Sequence, residues 1–181
     1  MSINQPLFYN ITVDSIVFEG SENSTLSEIN TRFTAIVDSG TTTLQLPSGK
    51  FPSLSSIWKG LFPGGVGQLT PAISMQIALA TPLLSAYNPP ATFGQAWGVY
   101  EVPCNATAPG IAITIGGVNF EISPADLIFQ TQVDPTTGLC ATGVQVSTEP
   151  YILGGVFMNN VLTTFHLGAL QVRFTALAWI G

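Results

Sequence analysis

The stretch that most constrains this chain is Ala35-Ile36-Val37-Asp38-Ser39-Gly40-Thr41-Thr42-Thr43, an apolar run that drives into one carboxylate and then breaks into hydroxyls and a glycine. β-Branched and apolar residues suit a pleated, buried strand, and Ser-Gly interrupts it, so Asp38 is expected where a buried strand stops. A carboxylate in that place stays ionised only if hydrogen-bond donors reach it. Ser39, Thr41 and Thr42, with the N–H groups of a loop opened by Gly40, are within reach in sequence. Two readings stay open from these residues alone: a carboxylate prepared for chemistry, or an Asx turn in which Asp38 caps the end of a strand.

The same stretch resembles the second active-site loop of the pepsin-like aspartic proteases. That family carries a hydrophobic-hydrophobic-Asp-Thr/Ser-Gly-Thr/Ser signature in each of two lobes, and Ile36-Val37-Asp38-Ser39-Gly40-Thr41 fits it position by position. A second family signature, two hydrophobic residues and a Gly usually followed by Asp, is matched by Ile152-Leu153-Gly154, with Gly155 standing where Asp is usual. The opening Ile11-Thr12-Val13-Asp14-Ser15-Ile16 is similar to the start of the family's C-terminal lobe, so the resemblance runs from nearly the first residue to the last ten. It implies an all-β lobe of mostly antiparallel, orthogonally packed sheets with one or two short helices, occupying residues 1–181 as the C-terminal half of a bilobal enzyme. It also implies roles: Asp38 catalytic, Ser39 gripping the partner loop across a pseudo-twofold axis, Gly40 meeting substrate through its backbone, Thr41 bonding the carboxylate, and Thr42 adding support.

Composition narrows the partners. Lys and Arg number 4 against 10 Asp and Glu, a net charge of −6. Four cations offer no patch for phosphates, so nucleic acid and anionic membranes are poor partners, while an acidic chain is compatible with work at low pH. No run approaches the ~20 apolar residues of a membrane helix. Asn10-Ile11-Thr12, Asn23-Ser24-Thr25 and Asn105-Ala106-Thr107 fit the glycosylation acceptor pattern, and with a possible disulfide they favour a secreted, extracellular setting. Met1-Ser2-Ile3-Asn4 opens with neither a basic nor an apolar leader region, so the chain is expected to be cut from something longer. Cys104 and Cys140 are the only cysteines; two free buried thiols or a bridge are both open from the residues, and the family resemblance implies that they pair.

Along the chain, residues 8–18 partly alternate as a half-buried strand does, and polar residues 19–30 form a surface connection. Residues 50–61 carry Phe51, Leu54, Ile57, Trp58 and Leu61 at helical spacing. In residues 69–98 the prolines 71, 82, 89 and 90 break the apolar runs, which predicts short strands or turns. Residues 97–104 return to strand character, residues 111–122 alternate about Gly116-Gly117 as a hairpin, and Ser123-Pro124 opens a helical turn. A last hairpin spans residues 161–174 and carries His166, the single histidine. It stands where the family often has Asp, and without a second histidine or a suitably spaced cysteine it is expected to be structural or exposed. No cofactor or metal is expected.

One such Asp loop cannot complete a two-aspartate site, so the partner is expected to be an N-terminal lobe, with polypeptide as substrate. Two other readings stand beside this one: a homodimeric, retropepsin-like enzyme in which two copies of Asp38 meet, and a non-catalytic binding or inhibitory module built on a protease lobe.

Overall fold

Short alternating runs punctuated by Gly, Pro and Asn divide this chain into strands too brief to stand alone. The computed structural model describes residues 8–19, 26–29, 32–47, 80–148 and 150–177. In chain order the first strands are β1 (Tyr9–Val13), β2 (Ser15–Glu19), β3 (Leu26–Ile29), β4 (Phe33–Val37) and β5 (Leu44–Pro47). After α1 (Ala80–Ser85) come β6 (Thr92–Gly94), β7 (Val99–Val102), β8 (Gly110–Ile115), β9 (Val118–Ile122), a 3₁₀ turn (Pro124–Asp126) and β10 (Ile128–Val133). The rest is β11 (Cys140–Thr142), β12 (Val144–Ser147), β13 (Tyr151–Leu153), α2 (Gly155–Met158), β14 (Val161–His166) and β15 (Gln171–Ala176). Among the described residues these form sheets ordered β1-β4-β13-β5-β12, β3-β2-β8-β9, β10-β11-β7-β6 and β14-β15. The expected all-β fold with short helices holds.

Several local expectations are refined. Residues 8–18 are two strands in two different sheets, because Asp14 turns the chain: its N–H donates to Thr114 O at 2.8 Å and its carboxylate accepts from Gly117 N–H at 3.2 Å. The connection after β2 contains β3, which pairs with β2 through Ile16 opposite Ile29; a four-residue strand is too short for alternation to reveal. In residues 69–98 the described part includes α1, where Pro82 sits in the first turn and its missing N–H leaves no bond unmade. The helix expected over residues 50–61 lies outside the described residues, as does Asn23. Gly116 and Gly117 turn the β8–β9 hairpin with φ of +59° and +77°, a region that favours glycine. Ser123 caps the 3₁₀ turn, its Oγ accepting from Ala125 N–H at 3.3 Å.

The core joins the sheets through Ile16, Leu44, Leu46, Ile113, Leu127, Leu153 and Phe157, all fully buried. Phe120, Phe157 and Phe174 meet edge to face with ring centres 5.2–6.1 Å apart, which ties the β14–β15 hairpin to the body. Tyr87, two residues past the end of α1, is buried and its hydroxyl donates to Leu127 O at 3.0 Å. No described helix is long and apolar enough to cross a membrane.

Cys104 and Cys140 form a disulfide across a sequence separation of 36 residues, beside the paired strands β7 and β11. Closing a loop of that length removes entropy from the unfolded chain, a contribution of roughly 3–4 kcal/mol. Replacing both cysteines by alanine is therefore expected to lower the free energy of urea unfolding by about that amount, and an unchanged midpoint would contradict it.

Candidate active site

β4 brings Asp38 to its C-terminal end, with Ala35 and Val37 buried beneath it. Residues 38–43 then turn the chain into β5, yet β4 and β5 are not neighbours. β13 lies between them, parallel to β4 through Ile152 opposite Ile36 and antiparallel to β5 through Leu153 opposite Leu44. The loop is thus a bridge over the end of a third strand.

Three backbone hydrogen bonds fasten that bridge from below. Asp38 N–H donates to Leu153 O at 3.2 Å, Gly155 N–H to Thr41 O at 2.7 Å, and Val156 N–H to Thr42 O at 2.8 Å. Gly154 passes so close beneath the loop that a Cβ would overlap the carbonyl oxygens of Thr41 and Thr43. Gly155 is less confined, since a Cβ there would stand 3.3 Å from Thr42 O.

The Asp38 carboxylate is half-buried and takes hydrogen bonds at both oxygens. Thr41 Oγ1 donates to Oδ2 at 2.7 Å and Gly40 N–H donates to Oδ1 at 2.9 Å. The Thr41 hydroxyl, then the Gly40 amide, hold this carboxyl below its ordinary value against an opposing effect of burial. A lowered value means that ionised Asp38 stabilises the fold above the ordinary pKa, and that contribution is lost as pH falls through the lowered one. Of the candidate donors, Thr41 and Gly40 engage the carboxylate. Ser39 and Thr42 are exposed, and Thr42 contributes its carbonyl to the seam below.

Other singled-out residues lie apart. His166 is exposed in the last hairpin, where its Nδ1 accepts from Ala169 N–H at 2.9 Å. Asn10 and Asn105 are exposed. Arg32 and Asp14 pair at 2.9 Å beside a cleft at the other end of β4, roughly 20 Å of extended strand from Asp38. Asn160 was not singled out by its sequence. It is buried just after α2, accepting from Ser123 N–H at 2.9 Å and donating to Val156 O and Asp126 Oδ2, both at 2.8 Å.

An Asx turn needs only the bond from the residue two places on, which Gly40 supplies. The Thr41 hydroxyl on the second oxygen and the three-bond seam go beyond that requirement. Such a carboxylate can accept a proton, hold one against a second carboxyl, or orient a water.

The chain resembles known proteins over nearly its whole length. The family described as eukaryotic aspartyl protease matches residues 1–177. The chain is 30% identical over 176 residues to a probable aspartic-type endopeptidase of Aspergillus fumigatus, covering 94% of this chain and 33% of that protein. It is 27% identical to pepsin A of Rhinolophus ferrumequinum over 97% of this chain and 37% of the relative. For Rhizopuspepsin-4 of Rhizopus niveus the identity is 26%, over 94% and 33% respectively. The chain spans about a third of the length of these relatives.

Two outcomes follow from the loop. Thr41→Val removes the stronger donor while keeping the side chain's shape, so the Asp38 carboxyl is expected to rise toward its ordinary 3.8; an unchanged carboxyl-carbon NMR titration would count against the Thr41 bond. Gly154→Ala is expected to cost about 1–3 kcal/mol or to prevent folding, and Gly155→Ala distinctly less. Equal urea midpoints for the two variants would show that the seam does not depend on close approach at Gly154.

Proposed function

The chain belongs to the eukaryotic aspartyl protease family, and from that premise we propose that residues 1–181 are the C-terminal lobe of a two-lobed, secreted aspartic endopeptidase that supplies one catalytic carboxylate, Asp38. The observation that carries this reading is the doubly hydrogen-bonded Asp38 carboxylate on a loop fastened to the β13–α2 junction.

A second carboxyl, brought by an N-terminal lobe, shares one proton with Asp38, because two carboxylates so close cannot both ionise. The ionised member takes a proton from a water while the protonated member donates to the scissile carbonyl. The water oxygen bonds to the carbonyl carbon, and the intermediate collapses as the amide nitrogen leaves with a proton. Because Thr41 and Gly40 favour the charged form of Asp38, they bias the shared proton toward the partner; the pair nonetheless titrates as a unit. Ser39, exposed at the loop tip, meets the opposing loop. Gly40 lacks a side chain that would stand 3.2 Å from Asp38 Oδ1, which leaves its backbone open to substrate.

The partner surface has support of its own. β14 and β15 pair only with each other among the described residues, and a lone two-stranded sheet is marginal in water. The hairpin exposes Leu162, Phe165, Leu167 and Leu170, with Leu167 at 75%. Tyr9 connects it to the site, its ring tilted against Phe165 with centres 4.8 Å apart while the residue stands opposite Val37, next to Asp38. A lobe that covers this apolar surface arrives beside the carboxylate. The disulfide and the exposed sequon residues Asn10 and Asn105 support an extracellular setting.

Peptide hydrolysis at acidic pH tests the reading. Asp38→Asn in the two-lobed protein is expected to lower kcat by at least roughly 10²–10⁴-fold with the fold intact by circular dichroism. Unchanged activity overturns the assignment. Activity from this chain alone points to a second copy as the carboxylate donor, and a folded two-lobed protein without activity points to a binding module.

A further inference from the structure

Glu101 and Asp134 are two acids buried together, at 1% and 0% exposure, in the sheet that carries the disulfide. Glu101 lies on β7, opposite Thr92 of β6 and Ala141 of β11, and Asp134 follows β10 at the turn into β11. Each has one oxygen provided for. Thr137 Oγ1 donates to Glu101 Oε2 at 3.2 Å, and Thr136 N–H donates to Asp134 Oδ1 at 2.6 Å. The other two oxygens, Glu101 Oε1 and Asp134 Oδ2, are buried and meet no N–H or O–H donor among the described residues. Adjacent residues Thr136 and Thr137 thus hold the two carboxyls in one enclosure, each with an oxygen left over.

Two acceptors can bond only if one of them carries a proton. Among the described residues of β6, β7, β10, β11 and the turn between the last two there is no Lys, Arg or His to neutralise a second charge. The remaining ionisable side chain on these elements, Tyr100, is on the other face of β7 against Phe93. Gly94 completes the enclosure, since a Cβ there would overlap the Glu101 carboxyl. The pocket is shaped around this acid.

We infer that Glu101 and Asp134 hold one proton between them, and that this shared proton makes the disulfide-linked sheet a pH-sensitive latch, closed in acid and weakened as pH rises. The inference is independent of the chemistry at Asp38. Burial first, and the Asp134 charge as well, push the Glu101 carboxyl up, while the Thr136 amide chiefly holds Asp134 down, which places the proton on Glu101. Because the folded value of Glu101 is raised, its contribution is complete below the unfolded value and is lost as pH climbs through the folded one. Asp134 has the opposite sign, its contribution fading as pH drops below its ordinary range. The latch is therefore tightest in mild acid. When the proton departs to water, two adjacent anions remain in an enclosed site with no cation against them among the described residues.

Thermal and urea unfolding of the full-length protein across pH tests this. From the ordinary Glu value of 4.5 up to the raised one, the unfolding constant of the wild type is expected to climb about tenfold per pH unit more steeply than that of Glu101→Gln, whose amide donates permanently to Asp134. Asp134→Asn, which keeps the acceptor for Thr136 and gives Glu101 a donor, is expected to flatten the slope likewise. Equal slopes in the wild type and both variants overturn the inference. So does a rise in the wild-type midpoint above neutrality on adding calcium or magnesium chloride that Glu101→Gln abolishes, because the pair would then hold a cation.

Discussion

The site depends on one strand being inserted between two others. A loop from β4 to β5 could close as an ordinary hairpin, its two arms bonded to each other and its tip free to move. Insertion of β13 holds the arms about two strand spacings apart, near 10 Å, and obliges the loop to span the gap. The three hydrogen bonds from Asp38, Gly155 and Val156 then fix both of its ends. Loop carboxylates are ordinarily placed by local turns alone. Asp38 is placed by contacts with residues more than a hundred positions away, so its position is set by the tertiary fold.

This arrangement accounts for the unequal demands on two adjacent glycines. Gly154 lies where a strand passes directly beneath carbonyl groups, and backbone cannot yield as a flexible side chain can. Gly155 begins α2, and its job in the seam is done by an N–H that any residue but proline possesses. The absence of a carboxylate at position 155 therefore leaves the hydrogen bonds that hold the loop intact. Asn160 works from the other side. It ties the end of α2 to the 3₁₀ turn, so that the helix carrying the Val156 amide is anchored at both ends.

Much of this was legible in the chain because its signals are local. Ile36-Val37-Asp38 announces a strand ending in an acid, Gly116-Gly117 a tight hairpin, and Ser123-Pro124 a capped turn. What escaped was set by distant partners. The family resemblance pointed to Thr41 as the donor to Asp38, but the residues alone left Ser39 and Thr42 equally open, because the choice depends on how β13 pins the loop. Asp14 looks like one polar position in an alternating run, and becomes a strand boundary only because the β8–β9 hairpin offers it an amide and a carbonyl. Glu101 is least legible of all. A lone acid in Val99-Tyr100-Glu101-Val102 reads as the solvated face of a strand, and nothing nearby in sequence reveals that Asp134 will be folded against it.

Asp38 and Glu101 show what decides the state of a carboxyl group when sequence does not. Both follow or occupy apolar strands, and both have a hydroxyl donor on one oxygen. Asp38 receives a backbone amide on the other oxygen and keeps access to solvent, so its charged form is favoured. Glu101 finds no donor there and is enclosed, so its neutral form is favoured. Enclosure of Glu101 and the donor missing from its remaining oxygen together set the opposite direction. The comparison bears on any second acid brought against Asp38: it would meet a carboxylate already supplied with donors and would itself be the member driven to take the proton. In the buried pair the same division holds, with Asp134 in the amide-supplied role and Glu101 in the protonated one. One rule thus applies at two places in the fold, at Asp38 where the carboxyl is half-exposed, and at Glu101 and Asp134 where both acids are enclosed.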